Sequence, residues 1–242
     1  MKIPTFRHMG GKARLRKWLV EKFPRKGNIY FEPYAGLANV FFLAANELDF
    51  QHWWLNDRFS HPFLHDLKQF GSTINLPDKI TKELKLEILS NRGTLLPNLL
   101  ENVITFAGKG YDHGFTGDID IRYNPRSYEK RLKAAHDLLE KATLTCFDSE
   151  NFDYSVLDET SFVYFDPPYF GTKASYPNID HSKLIEVLNT AKFKWALSGY
   201  DNDLYSDELS YINKYHIERN SEIKSSSRKE YTAVVETLWT NY

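Results

Sequence analysis

"FVYFDPPYFG" (162–171) runs an apolar stretch straight into an aspartate, two prolines and a tyrosine. A short apolar run bounded by turn residues reads as a strand buried on both faces, the kind found in parallel sheets. The prolines end the strand and fix the backbone. Pro167 follows Asp166, and a carboxylate, a rigid turn and an aromatic ring are thereby collected at one strand end.

Similar runs recur on both sides of it: "IYFEPY" (29–34), "WWLND" (53–57), "TLTCFD" (143–148), "KWALSGY" (194–200), "YHIER" (215–219) and "VVETLW" (234–239). Helical patterns stand between several of them, at 14–23, 39–48 and 181–191. Strands alternating with helices predict an α/β fold, with a mainly parallel sheet covered on both faces. The alternation breaks over 58–142. Four helical patterns there surround "TFAGKGYDHGFTGDIDIRYNP" (105–125), rich in Gly, aromatics and Arg. We expect a mainly helical insertion at 58–142, with 1–57 and 143–242 forming the sheet domain.

In such sheets ligands bind beyond the carboxyl ends of the strands. Three candidate sites fall there. In "YFEPYAGLANVFF", Gly36 can carry a tight turn from strand to helix, letting backbone approach a ligand. A turn with one Gly also joins many strands to helices that bind nothing. In "WWLNDRF", Asp57 can accept from a pair of ribose hydroxyls, or can simply cap a turn. In the opening stretch, the Asp166 carboxylate and the Pro167 carbonyl make two fixed acceptors. They match an amine with two N–H donors, such as the exocyclic amine of adenine, and Tyr169 offers a flat face for stacking.

Composition bounds the rest. The chain has 242 residues, 42% hydrophobic and 26% charged, a globular balance. Its net charge of −1 gives no general argument for nucleic acid, so DNA contact would need local basic patches. Cys146 is the single cysteine, which excludes an intramolecular disulfide and a cysteine zinc cluster. No metal is expected. "MKIPTFRHMGGKARLRKW" lacks the apolar core of a signal peptide. The longest uncharged run, Pro33 to Asn46, falls short of the about 20 apolar residues that span a bilayer. A cytoplasmic protein without membrane contact is expected.

The chain resembles the Dam-type adenine-N6 DNA methyltransferases, which use S-adenosylmethionine. "FRHMGGK" is similar to their aromatic-x-Gly-Gly-Lys segment, "FEPYAGLANVFF" to their glycine loop, "LND" to their ribose-binding acid and "DPPYFGT" to their catalytic motif. "RNSEIKSSSRKEYTAVVETLWTNY" is similar to their Arg, Ser-rich loop and closing strand. The order and spacing agree across nearly the whole chain. His8, Ala38 and Asn151 depart from the usual residues at their positions. The resemblance implies a Rossmann-like S-adenosylmethionine-dependent methyltransferase sheet, with 58–142 as an inserted target-recognition domain. It implies that His8, Gly10, Gly11 and Lys12 hold the methionine end of the cofactor. Pro33, Tyr34, Gly36 and Asn39 would wrap it, and Asp57 would bind its ribose. Asn151 and Phe152 would contact its adenine, with Asp148 as the rival. Asp166, Pro167, Pro168 and Tyr169 would bind the target base, with Asp166 also next to the cofactor.

The implied reaction is direct methyl transfer to the amine of a flipped-out adenine in double-stranded DNA. For DNA contact we expect Lys109, Tyr111, Arg122, Asn124, Arg126 and Arg131, together with the basic N-terminal residues and "KSSSRK" (224–229). A restriction endonuclease acting at the same site is a conceivable partner. Adenine in RNA remains open, because the motif reads the base and not the sugar. A silent DNA-binding protein on this fold is a second alternative, separable by whether S-adenosylmethionine stabilises it against heat. A redox Rossmann enzyme would want Gly-x-Gly-x-x-Gly, which "YAGLANV" lacks.

Overall fold

Five short apolar runs become the parallel part of one seven-stranded sheet. The computed structural model describes residues 3–8, 10–105, 114, 123–172, 178–220 and 233–242. The strands are β1 (Lys26–Glu32), β2 (Asp49–Asn56), β3 (Ala142–Thr145), β4 (Phe162–Phe165), β5 (Lys194–Tyr200), β6 (Asn213–Asn220) and β7 (Ala233–Thr240). Their order is β3-β2-β1-β4-β5-β7-β6. β1 to β5 run parallel, and β7 enters antiparallel between β5 and β6. The order reverses between β1 and β4. A Rossmann-like sheet binds ligands at that switch point, outside the carboxyl ends.

Alternation along the strands builds two cores. Tyr30, Trp53, Leu55, Phe162 and Tyr164 face one side. Phe31, Val163, Phe165, Trp195, Leu197 and Trp239 face the other. The sheet is covered on both faces, as its continuous apolar strands require.

The helices are α1 (Arg16–Val20), α2 (Asn39–Glu47), α3 (His61–Phe70), α4 (Lys82–Ser90), α5 (Leu95–Ile104), α6 (Pro125–Leu139), α7 (His181–Thr190) and α8 (Asp203–Glu208). Four of them lie within 58–142. Phe63, Leu67, Leu99, Ile104 and Leu132 of these helices share a core with α2 and the sheet. Phe6 ties the two together, meeting Phe42, Phe63 and Tyr128 edge-on at 5.1–6.2 Å between ring centres.

The turn into α2 carries the local strain. Gly36 has φ +53° and Ala38 φ +55°. An L-residue held left-handed costs roughly 1–2 kcal/mol. Ala38 is fully buried, however. Glycine there would relieve the strain, but would lose about 0.8 kcal/mol of methyl burial and add chain entropy to the unfolded state. Ala38→Gly is therefore expected to change unfolding free energy by less than about 1 kcal/mol, measured in urea. A loss well beyond that would show that the methyl packing dominates.

Candidate active site

The carboxyl ends of β1, β2, β4 and β5 and the N-terminal residues 3–8 and 10–12 meet at one place. The loop after β1 is shaped by its neighbours. Asp57 Oδ2 accepts from the Gly36 N–H at 2.8 Å. Its Oδ1 accepts from the N–H groups of Phe59 and Ser60 at 2.9 and 2.6 Å. Asp57 thus holds the loop and caps the turn into α3, as the turn-cap reading of its sequence position expects.

Asn56, just before it, is completely buried. Its Oδ1 accepts from the Phe147 N–H at 2.9 Å and the Thr145 hydroxyl at 3.0 Å. Its Nδ2 lies 3.0 Å from the Pro33 carbonyl and 3.1 Å from the Phe147 carbonyl. One amide therefore locks together the ends of β1, β2 and β3. Sequence reasoning passed over it. The available signal was an amide inside an otherwise apolar strand, which must find partners when buried.

Asn39 is spent on structure. Its Oδ1 accepts from the Phe6 N–H and its Nδ2 donates to the Phe6 carbonyl, both at 2.9 Å. This double bond pair staples segment 3–8 to α2. His8, next in that segment, sits against Gly36: a Cβ on Gly36 would come 3.5 Å from the His8 Cδ2. Burial lowers the His8 pKa, opposed in part by Asp57. Gly10 has φ +75°, and Gly11 donates its N–H to the His8 carbonyl at 3.1 Å.

Lys12 reaches Asp166. Its Nζ stands 2.8 Å from Asp166 Oδ1, 2.8 Å from the Gly10 carbonyl and 4.7 Å from the centre of the Tyr169 ring. Lys12 is only 6% exposed, so the pair is held away from water. Ser198 on β5 donates to the same Oδ1 at 2.7 Å. Asp166 Oδ2 and the Pro167 carbonyl receive no hydrogen bond from the described residues. Two acceptors on consecutive residues just after β4 therefore have no partner among the described residues.

The electrostatics separate two carboxyls at adjacent strand ends. Glu32, buried at the end of β1, is pushed up to about 8, chiefly by burial. The Tyr30 hydroxyl donates to it at 2.6 Å. Burial also raises Asp166, but Lys12 and Ser198 pull it back. Near neutral pH Glu32 holds its proton, and the cation beside Asp166 favours charge there.

The other expected positions are spread out. Tyr34 is part-buried beside the aromatic cluster of Phe31, Trp54 and Phe152. Phe152 stacks on Phe147 at 4.8 Å. Asn151 is exposed and accepts from Lys183 on α7 at 3.2 Å, whereas Asp148 pairs with Arg58 at 3.5 Å beyond β3. Asn124 caps α6 by accepting from the Ser127 N–H. Arg131 donates to the Thr5 carbonyl and covers the Tyr128 ring, and Arg126 is exposed. Lys109, Tyr111, Arg122 and 224–229 lie outside the described residues. Among the described residues no three His, Cys, Asp or Glu are placed to hold a metal. No described helix is long and apolar enough to cross a membrane.

The chain is 28% identical over 143 residues to the Type II methyltransferase M.FokI of Planomicrobium okeanokoites. That match takes in 50% of this chain and 22% of the relative, so the chain spans about a fifth of its length. Among solved structures, a precorrin-6y C5,15-methyltransferase from Geobacter metallireducens overlaps 94% of this chain and 86% of its own, at 11% identity and TM-score 0.42. An rRNA methylase from Streptococcus thermophilus overlaps 95% and 96%, at 11% identity and TM-score 0.40. The family model of the D12 class N6 adenine-specific DNA methyltransferases matches residues 8–98 and 94–223, from the Gly-Gly-Lys segment through Asp166–Tyr169 to β6, and the chain belongs to that family.

Proposed function

We propose that the protein transfers a methyl group from S-adenosylmethionine to the N6 amine of an adenine flipped out of double-stranded DNA. The observation that carries the reading is a pair of acceptors that no described residue engages, Asp166 Oδ2 and the Pro167 carbonyl, close in the chain to Tyr169. An amine with two N–H donors satisfies both. The amine lone pair of adenine is delocalised into the ring, and accepting from both hydrogens favours charge localised on nitrogen. It also fixes the direction in which the nitrogen points. As positive charge grows on nitrogen, the Asp166 carboxylate stabilises it.

The residues gathered near Asp166 and Gly36 suit the cofactor. Asp166 and Asp57 supply carboxylates for a cationic ligand, and the left-handed turn at Gly36 brings backbone close. His8, Gly10, Gly11, Pro33, Tyr34, Gly36 and Asp57 would hold it, with Asn39 fixing the segment that carries His8. Bound there, the cofactor supplies a methyl group already activated on a sulfonium, so the protein needs no covalent nucleophile. Cys146, exposed beyond β3, is not required. Lys12 covers the Tyr169 ring and must shift for a base to stack on that face. Tyr169 recovers part of the few kcal/mol spent on unstacking the base.

DNA contact is assigned to Lys109, Tyr111, Arg122 and Arg126, with Asn124 and Arg131 shaping their support. Changing Lys109, Arg122 and Arg126 together to alanine is expected to weaken DNA binding. It should also lower the salt slope by up to about 2.7, at roughly 0.9 per lost phosphate contact. An unchanged slope would remove this assignment. A cytoplasmic location and a restriction endonuclease recognising the same site complete the proposal. The latter is suggested by the Type II relative. The test of activity is incubation with genomic DNA and labelled cofactor, followed by sequencing that maps modified adenines. Methylated adenines at one recurring sequence are expected, and no modified adenine would refute the reading.

A further inference from the structure

Glu236 has no part in the chemistry above, yet this carboxylate lies inside β7 and is only 2% exposed. A buried carboxylate costs stability unless it is well partnered. Its Oε2 accepts from the Tyr169 hydroxyl at 2.7 Å. Across the antiparallel ladder Glu236 stands opposite Tyr200. The Tyr200 ring meets the Tyr169 ring at 80°, with 4.8 Å between centres. Two residues earlier on the same face of β5, Ser198 holds Asp166. Alternate residues of one strand therefore brace the two ends of the segment 166–169. Burial and the nearby carboxylates Asp166 and Glu236 push the Tyr169 phenol far above its ordinary range. It stays protonated and donates.

We infer that Glu236 is a positioning residue, whose carboxylate anchors the Tyr169 hydroxyl while Tyr200 sets the tilt of the ring that receives the extruded base. The inference rests on Asp166–Tyr169 being the base-binding segment. Tyr169 follows two prolines that stiffen the chain but leave its side-chain torsions unset. A hydrogen bond to a carboxylate is roughly twice as strong as one between neutral groups. Exchanging the carboxylate for an amide keeps the shape and loosens the ring. The loss falls on orienting the base, not on binding the cofactor.

The test is a double-mutant cycle over Glu236→Gln and Tyr169→Phe. It is read as single-turnover methyl transfer to a duplex bearing the mapped site, with cofactor Kd measured by calorimetry without DNA. Each single variant is expected to slow transfer about tenfold and to leave the cofactor Kd within about twofold. The double variant should be no slower than the slower single, because one change weakens and the other removes the same bond. A double variant at the product of the two singles overturns the inference. So does a cofactor Kd that weakens in step with the rate. Should Glu236→Gln not fold, Tyr169→Phe decides alone, and a rate within about twofold of the unaltered protein overturns the inference. Failure of the underlying reading looks different: Asp166→Asn would then transfer as fast as the unaltered protein, whatever the cycle shows.

Discussion

Asp166→Asn is expected to lower methyl transfer by at least about 10³-fold, while cofactor binding and the fold survive. The amide keeps the volume, and its oxygen can still accept from Lys12 and Ser198. Its nitrogen then replaces Oδ2, so a donor faces the amine where an acceptor stood, and no charge remains to stabilise the nitrogen. Asp166→Ala removes the same acceptor, but it also strands Lys12, whose ammonium is 6% exposed and keeps the Gly10 carbonyl and the Tyr169 ring but no counter-charge among the described residues. Stranding a buried charge costs up to about 3–5 kcal/mol, and the 17% exposure of Asp166 argues for the lower end. The alanine variant should therefore be inactive and also melt earlier. Comparing the two variants in transfer, cofactor titration and thermal melts separates chemistry from packing. The pH profile follows from the same pair. Burial raises the Asp166 pKa, so activity should fall on the acid side at a pH above the ordinary carboxylate range.

The second large effect is on stability. Glu32 is raised from 4.5 to about 8 by burial. Between those values the folded chain holds a proton that the unfolded chain releases. Stability from this group is complete below about pH 4.5 and is lost as pH rises through about 8. At about 1.4 kcal/mol per unit the loss approaches about 5 kcal/mol as an upper figure. Glu32→Gln cannot titrate, and its amide oxygen can still accept from Tyr30. Relative to the unaltered protein it should gain several kcal/mol between pH 5 and pH 9, read from urea unfolding at each pH. Parallel pH profiles for the two proteins would show that Glu32 is ionised throughout.

All seven strands were legible as short apolar runs between turn residues, most plainly β4 and β5, which are buried along nearly their whole length. The starts of β4 and β5 were also legible, but those of β1 and β2 were not. β1 begins with Lys26, Gly27 and Asn28, and β2 with Asp49. There backbone pairing, not side-chain burial, defines the strand. Asp166–Tyr169 was legible because few purely structural needs put a carboxylate and two prolines after an apolar strand. Ser198, Tyr200 and Glu236 were not, since a polar residue within "WALSGY" or "VVETLW" does not reveal which side chain it will meet. Asn39, Asn124 and Arg131 teach the converse. Each has donors or acceptors suited to a ligand, and each is taken up by nearby backbone: Phe6, the first turn of α6 and Thr5. Backbone groups brought close by the fold, in two of the three cases from distant parts of the chain, take up these side-chain donors and acceptors, and their spacing in the sequence gives no sign of it.

The most direct test is nucleoside analysis of DNA incubated with the protein and S-adenosylmethionine labelled in its methyl group, run alongside Asp166→Asn. Label recovered in N6-methyladenine with the unaltered protein, and missing with the variant, is the predicted result. Label on cytosine, or adenine labelled equally by both proteins, would contradict the account.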